Sequence, residues 1–501
     1  MRRRDKEMEK IIVAGGGIAG LTAGIYARLA GFEAEIYEKN PVVGGECMGW
    51  NRNGYHIDNC IHWLTGTKEG TALYNVWKTV GAIDENTQYG EITEFYTCEL
   101  NGQTATLWHD LEKTRKELIQ ISPEDEEEIN KFIEHVEYAK QCLIPAEKPM
   151  EMMGIKDYIA MGKDMSGMPK VMKEYGKINL SQLADRFKHP LIKMLMSEYM
   201  PKEYVAYSFL VSYATMASGN GNVPIGGSLA MSQRMKDRFV SLGGKVFTGK
   251  AVEEIIIENG TATGIKLEDG SIHKADYIIP TVDFNVLFNK LVDKKYMPAE
   301  LKDAYADEKA FPVISGCQAA FTVKGSMPIR GTVLFPCDEF RMGNKKYDRL
   351  SYKVYDYDEL FKKDGKTVIQ AHIVQDHEDY YFWKGLSAEE YKTKKAEYAE
   401  MMKEQMEKHF PELKGKLELL DVWTPLTYER YCGAYHGSYM SFVTTPGRKS
   451  FKTKGTVKGI KNMYLSGQWT MAPGGLPVAA VSGKFAVQRI LKSEHKDIKV
   501  D

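Results

Sequence analysis

The chain lacks paired cysteines that could staple it, apolar runs that could cross a bilayer, and an excess of charge of either sign. Its seven cysteines are an odd number, scattered over 501 residues with no C-x-x-C pair. A disulfide framework and a cysteine-based zinc site are therefore excluded as expectations, and no metal centre is anticipated. No apolar stretch approaches the roughly 20 residues that span a bilayer, so any membrane contact is expected to be peripheral. Basic and acidic residues number 67 and 68, for a formal net charge of -1. A dedicated nucleic-acid binder would carry a strong basic excess, so no nucleic-acid partner is expected. The N-terminus, Met1-Arg2-Arg3-Arg4-Asp5, is basic but leads straight to the apolar run Ile11-Ile12-Val13. It lacks the long apolar stretch and cleavage site of a signal peptide, and a cytoplasmic setting is the expectation. Repeats and low-complexity linkers are also missing.

What is present starts with glycine. Lys10 to Ala14 reads as a buried parallel strand. Gly15-Gly16-Gly17-Ile18-Ala19-Gly20 follows, then a helix over Ile18 to Leu29 and a second strand over Glu33 to Glu38. G-x-G-x-x-G between a strand and a helix is a dinucleotide fingerprint. Gly15 permits the tight turn, Gly17 lets the backbone approach a pyrophosphate, and Gly20 lets the helix pack on the strand. Gly24 extends that packing, and the free N–H groups of the first turn, around Ile18 and Ala19, point at phosphate. Glu38 closes the second strand where a carboxylate accepts hydrogen bonds from ribose hydroxyls, with Lys39 beside it. A bare glycine turn without a nucleotide is the bland alternative, and the strand, helix and acid together argue against it.

From about Thr71 to Tyr213 the sequence turns helix-rich, with many Met, Tyr, Glu and Lys. Ser122-Pro123-Glu124-Asp125 predicts a helix start, with Ser at the N-cap and the helix running to about Gln141. The α/β pattern returns at Gly226. A helix is predicted over Ser228 to Leu242, then strands over Lys245–Thr248, Ala251–Glu258, Thr261–Leu267 and Ile272–Ile279. Asn259-Gly260 and Asp269-Gly270 mark hairpin turns. Near the end, a strand finishing at Ser466-Gly467 is followed by Pro473-Gly474-Gly475-Leu476-Pro477 and a helix to about Leu491.

These pieces resemble the phytoene desaturase, carotenoid isomerase and retinol saturase-like FAD oxidoreductases, within the wider amine oxidase-related flavoproteins. The doublet Gly44-Gly45, soon after Glu38, resembles the one that lies near flavin and pyrophosphate in that group. The next position is often basic in amine oxidases; here it is Glu46, so that contact does not carry over. Asn53-Gly54-Tyr55-His56-Ile57-Asp58 resembles the family's G-Y-x-x-D segment, and Pro224-Ile225-Gly226-Gly227 its P-x-G-G helix start. The strand beginning Ala251-Val252 is similar to the one whose valine backbone meets adenine, which implies that role for Val252. Gly467, Gly474, Gly475, Leu476 and Pro477 resemble the closing motif, where the turn meets the isoalloxazine and a helix N-terminus faces its pyrimidine edge.

The resemblance implies an α/β fold: a discontinuous Rossmann-type, glutathione-reductase-like FAD-binding domain with an inserted α+β substrate domain. The expected division is 1–72, 214–290 and 455–501 for FAD, and 73–213 with 291–454 for substrate. It implies non-covalent FAD, since the last cysteine is Cys432, well before the closing motif. It also implies an apolar unsaturated substrate: a carotenoid or other isoprenoid, retinoid, steroid or fatty acyl chain, undergoing desaturation, saturation or isomerisation. The electron partner stays open. No second G-x-G-x-x-G follows a strand in residues 40–501, which argues against direct reduction by a nicotinamide cofactor. His62 is a candidate proton carrier, and Cys60 is a weaker candidate; the alternatives are a cavity wall for His62 and a small buried hydrophobe for Cys60. Asp58 reads as a structural acceptor. A flavin amine oxidase and a Rab GDP-dissociation-inhibitor-like lipid binder without FAD are the rival readings; the intact phosphate loop, Glu38 and the P-G-G turn argue against the second.

Overall fold

The computed structural model describes residues 8–448 and 450–500; the basic cluster at Met1–Asp5 lies outside them. In chain order, the elements used below are β1 (Lys10–Ala14), α1 (Ile18–Leu29), β2 (Glu33–Glu38), α2 (Ala72–Thr79), β3 (Glu94–Leu100) and β4 (Gln103–Trp108). They continue with α3 (Ile155–Asp164), α4 (Gly227–Ser241), β5 (Lys245–Thr248), β6 (Val252–Glu258), β7 (Thr261–Leu267), β8 (Ile272–Lys274) and β9 (Tyr277–Pro280). The rest are β10 (Ser315–Lys324), β11 (Thr332–Met342), β12 (Lys345–Val354), β13 (Lys366–Gln375), β14 (Leu417–Trp423), α5 (Pro425–Cys432) and α6 (Gly475–Ser493).

β9, β1, β2 and β5 form a parallel sheet in that order. Ile11, Ile12 and Val13 are wholly buried in it, which is why that run carries no polar alternation. Each such side chain contributes about 1.5–3 kcal/mol by leaving water. α1 lies on this sheet and packs against α4 and α6. Two glycines set those distances. A Cβ at Gly24 would lie 2.9 Å from Ile36 and Phe239, and one at Gly483 would lie 2.6 Å from the Ala19 carbonyl oxygen. α2 joins the same core through Leu73, Val76 and Trp77.

β6, β7 and β8 form a small antiparallel sheet. The turn between β6 and β7 carries Asn259 and Gly260 at φ 50° and 74°, the left-handed pair that an Asn-Gly hairpin supplies. The largest sheet runs β14-β10-β13-β12-β11-β3-β4, with Lys362–Lys363 paired outside this path on β13. Its β11–β3 pairing is parallel and joins Val333 to Thr97 across more than 200 residues.

Four expectations need correction. Ile272–Ile279 is two strands in two sheets, because the Asp276 N–H turns away to the Lys10 carbonyl at 2.9 Å. Ser122 does not cap one long helix: its hydroxyl donates to Asp125 Oδ2 at 2.8 Å, and a 3-10 turn, Pro123–Asp125, precedes the helix Glu126–Ala139. The segment ending at Ser466-Gly467 makes only isolated bridges, such as Met463 with Ile278, rather than a full strand. The sixth strand starts at Val252, one residue later than expected. Among the described residues no helix is long and apolar enough to cross a membrane.

Candidate flavin site

Gly15 leaves β1 at φ 115°, where only glycine is comfortable. Gly20 carries the tightest constraint: a Cβ there would lie 2.0 Å from the Gly15 carbonyl oxygen. Gly17 is different. It precedes α1 in an ordinary extended conformation, and a Cβ on it would meet nothing closer than Gly44 O and Gly45 Cα, both at 3.9 Å. The Gly44 N–H donates to the Gly16 carbonyl at 2.9 Å, which seats the doublet on the fingerprint loop. Gly45 has only the Gly17 Cα near its open side, at 3.3 Å.

Glu38 is buried at the end of β2. Its Oε2 accepts from the Gly16 N–H at 2.7 Å, and its Oε1 accepts from Asn40 N and Nδ2 at 2.8 and 2.9 Å. An ionised carboxylate has about four lone-pair sites; three are used, and the remaining one suits a ribose hydroxyl. Lys39 is exposed and donates to the Arg430 carbonyl at 3.1 Å, while Asn40 Nδ2 reaches the Tyr431 carbonyl. The end of α5 therefore covers this corner. Val252 starts the strand after Gly249 and Lys250, whose N–H groups donate to Asn40 O and Glu38 O, so Val252 lies two residues from the Glu38 corner.

The closing motif comes to the same place. The Gly467 N–H donates to Ser482 Oγ at 2.8 Å. Gly474 and Gly475 have φ 84° and 78°. A Cβ at Gly475 would meet nothing within 3.8 Å, and residues 475 to 479 are partly exposed while 480 to 483 are buried. The start of α6, with Leu476 and Pro477 in its first turn, is thus the accessible part of the helix. The Gly475 N–H donates to Gln468 Oε1 at 3.1 Å, and Gln468 Nε2 donates to Glu46 Oε2 at 3.2 Å.

Gly17, Gly45 and Gly475 thus offer open backbone that a Cβ would fill, between a helix N-terminus and a buried carboxylate. That donor set suits an anionic dinucleotide. Residues not singled out from sequence complete it. Thr281 donates to the Gly15 carbonyl at 3.0 Å, and Asp283 accepts from Tyr435 N at 2.8 Å and Asn285 N at 2.7 Å. Both follow β9, the strand beside β1, and that position was their only sequence signal. Burial pushes the Asp283 carboxyl up to about 7 despite these bonds, and pushes Glu46 up to about 8.

Asp58 is the structural acceptor anticipated: Oδ2 takes the Ser228 N–H at 2.5 Å, and Oδ1 takes Ser228 Oγ and Cys60 N. This caps the start of α4. A hydrogen bond between the free Cys60 and Cys47 thiols, with desolvation, holds the Cys60 thiol well above the usual range, which is the reverse of an activated nucleophile. His62 lines a narrow cleft, open to solvent, with Trp63, Phe95, Tyr199, Met216 and Tyr357. Burial, with the Lys353 cation nearby, keeps His62 well below the usual imidazole range, so its ring is neutral. Lys353, unnoticed in the sequence, also lines the cleft. It is buried, its ammonium reaches the Ile61 carbonyl at 3.4 Å, and burial pushes it down to about 8. His372 and His377 join no group of three or more metal-ligating side chains among the described residues. Cys432 is distant in sequence, yet Glu46, Lys39 and Glu38 all act on its buried thiol.

The chain is similar to several known proteins. A 4,4'-diaponeurosporene oxygenase of Staphylococcus haemolyticus (strain JCSC1435) is 23% identical over 523 residues, covering 97% of this chain and 98% of the relative. A 4,4'-diapophytoene desaturase (4,4'-diapolycopene-forming) of Methylomonas sp is 24% identical over 300 residues, and that match spans 58% of each protein. A solved putrescine oxidase bound to putrescine superposes with a TM-score of 0.58 at 15% identity, over 96% of this chain and 99% of that one, which shows the fold. The flavin containing amine oxidoreductase family matches residues 18–491, nearly the whole span from the first turn of α1 to the end of α6, and the chain belongs to that family.

Proposed function

We propose that the flavin is FAD, held without a covalent bond, and that the enzyme acts on a carbon–carbon bond of an apolar unsaturated substrate. The observation that carries this is the open glycine track of Gly17, Gly45 and Gly475 between Glu38 and the start of α6. It gives a dinucleotide a backbone-lined bed ending at a helix N-terminus. The oxygenase and desaturase relatives, one of them matched over nearly its full length, support a polyene or related isoprenoid, retinoid, steroid or fatty acyl substrate. Bound FAD would supply hydride acceptance or donation. In this reading 1–72, 214–290 and 455–501 form the FAD half, and 73–213 with 291–454 the substrate half.

The chain's own residues have separate tasks. Glu38 and Gly15 to Gly20 orient the adenosine and diphosphate end, with Lys39 and Val252 at its edge. Trp63, Phe95, Tyr199, Met216 and Tyr357 give part of the cleft an aromatic and apolar wall, while Glu91, Glu94, Arg330, Lys353 and Asp356 also line it; an apolar wall with polar anchors suits a long unsaturated chain. A neutral His62 can take a proton at its unprotonated ring nitrogen. Non-covalent attachment fits a thiol at Cys432 that burial holds protonated. Contact with a lipid surface through α3 belongs to the same reading: none of its residues is buried, and Ile155 and Ile159 are 82% and 58% exposed.

The test is to purify the full chain, record its visible spectrum, and identify the chromophore released by heat or acid. FAD in near-stoichiometric amount, and its loss of colour with an added polyene or acyl substrate under anaerobic conditions, are expected. Turnover of a small diamine with peroxide formation, and none of an apolar substrate, would replace this reading with an amine oxidase.

A further inference from the structure

The doublet Gly44-Gly45 is followed by an acid where the family's amine oxidases often place a base. Glu46 follows Gly45 in the chain and is only partly exposed. Among the described residues it forms no ion pair; its carboxylate meets Gln468 Nε2 at 3.2 Å, and Gln468 in turn holds the Gly475 N–H. One side chain thus ties the doublet to the start of α6 through a single glutamine. The groups facing it from other elements are also acids or neutral: Asp283 after β9, Cys60 just after Asp58, and Tyr428 and Cys432 on α5. Lys39 acts on Cys432 and donates to the Arg430 carbonyl. A carboxylate with no counter-ion, beside the bed of a doubly anionic diphosphate, is disfavoured when ionised.

We propose that Glu46 donates its carboxyl proton in a hydrogen bond to the bound dinucleotide, and that losing this proton loosens the cofactor. The inference rests on the FAD reading above. In the neutral form the O–H is a donor on the track, and Gln468 keeps it aimed there. Once ionised, Glu46 sets a negative charge against the phosphates with nothing to neutralise it. Burial already raises the group to about 8, and an anionic cofactor raises it further. The affinity should therefore be level below about pH 8 and fall above it, by up to about tenfold per pH unit until the bound-state titration is reached.

The experiment titrates apoprotein with FAD, following flavin fluorescence from pH 6.5 to 9.5 at fixed ionic strength, for the full chain and for Glu46→Gln, Glu46→Ala and Asp283→Asn. The parent should show the rise in Kd above about pH 8. Glu46→Gln, which keeps a donor, should bind within about threefold of the parent at pH 7 and stay level with pH. Glu46→Ala should also stay level, so the test survives a failure of either variant to fold. Asp283→Asn should keep the rise, which separates Glu46 from its neighbouring acid; titration of FAD itself is common to all four. A level parent curve, or an equal rise in both Glu46 variants, overturns the proposal while leaving the FAD reading intact. A folded parent that binds no FAD at any pH overturns both.

Discussion

Glu38→Ala tests the site at its most connected point. The carboxylate accepts from two backbone N–H groups, Gly16 at 2.7 Å and Asn40 at 2.8 Å, and from the Asn40 side chain. Its removal acts twice. The ribose contact assigned to the remaining lone pair is a hydrogen bond to a charged group, about 1.5–3 kcal/mol, so FAD affinity should fall about ten- to a hundredfold. The Gly16 N–H is also left without its acceptor in a buried loop, which costs a further 1–3 kcal/mol or so of stability in the apoprotein. Glu38→Gln should rescue neither effect. Three donors converge on this side chain, and an amide has one acceptor oxygen and an NH₂ that faces a donor. The assay pairs FAD titration with urea unfolding of the apoprotein. An alanine variant that keeps FAD within twofold of the parent and unfolds at the same urea concentration would refute the role given to Glu38.

Three further outcomes follow from the structure. Gly17→Ala should fold with a Tm close to the parent and lose FAD affinity, whereas Gly20→Ala, with its Cβ 2.0 Å from a carbonyl oxygen, should lower Tm by many degrees; melting curves with and without FAD separate the two, and equal destabilisation would contradict the open track. Lys353→Met should stabilise the apoprotein at pH 7. The ammonium falls from 10.5 to about 8 on burial, which corresponds to about 3 kcal/mol. Between those values the unfolded chain holds a proton that the folded one has lost, so the parent gains stability as pH rises and the gap to the variant closes; urea midpoints at pH 7 and 10 that differ equally would show the lysine is not desolvated. Replacing both Ile155 and Ile159 by Glu should abolish sedimentation with phosphatidylcholine–phosphatidylglycerol vesicles, since the exposed apolar residues of α3 suit a lipid interface and added carboxylates do not; unchanged sedimentation would remove α3 from the lipid contact.

Local punctuation made the elements around the parallel sheet legible. Ile18–Leu29, Glu33–Glu38, Lys245–Thr248 and Thr261–Leu267 could be delimited to the residue because glycines, turn pairs or a change of hydrophobic period bound them. The large sheet was not legible, since its order depends on pairings such as Val333 with Thr97 that leave no mark near either residue. Lys353 was missed for a related reason: on a strand that mixes lysines with apolar residues it looks like a solvent-facing position, and only burial between β11 and β13 makes it unusual.

The glycines show most clearly what a motif leaves out. In the sequence Gly17 and Gly20 are equal members of one fingerprint, and Gly44 and Gly45 of one doublet. The structure divides them. Gly20 and Gly44 are closed: a Cβ would strike a carbonyl oxygen at 2.0 and 2.5 Å. They are glycine because the protein's own backbone needs the space. Gly17 and Gly475 meet nothing closer than about 3.9 Å, and Gly45 meets only a Cα at 3.3 Å. Folding alone does not explain a missing side chain at Gly17, whose φ of -72° any residue adopts. The open space at Gly17 is available to something outside the chain, and two helix starts border it. A ligand that is anionic at one end and planar enough to lie along bare backbone at the other satisfies all three open positions together.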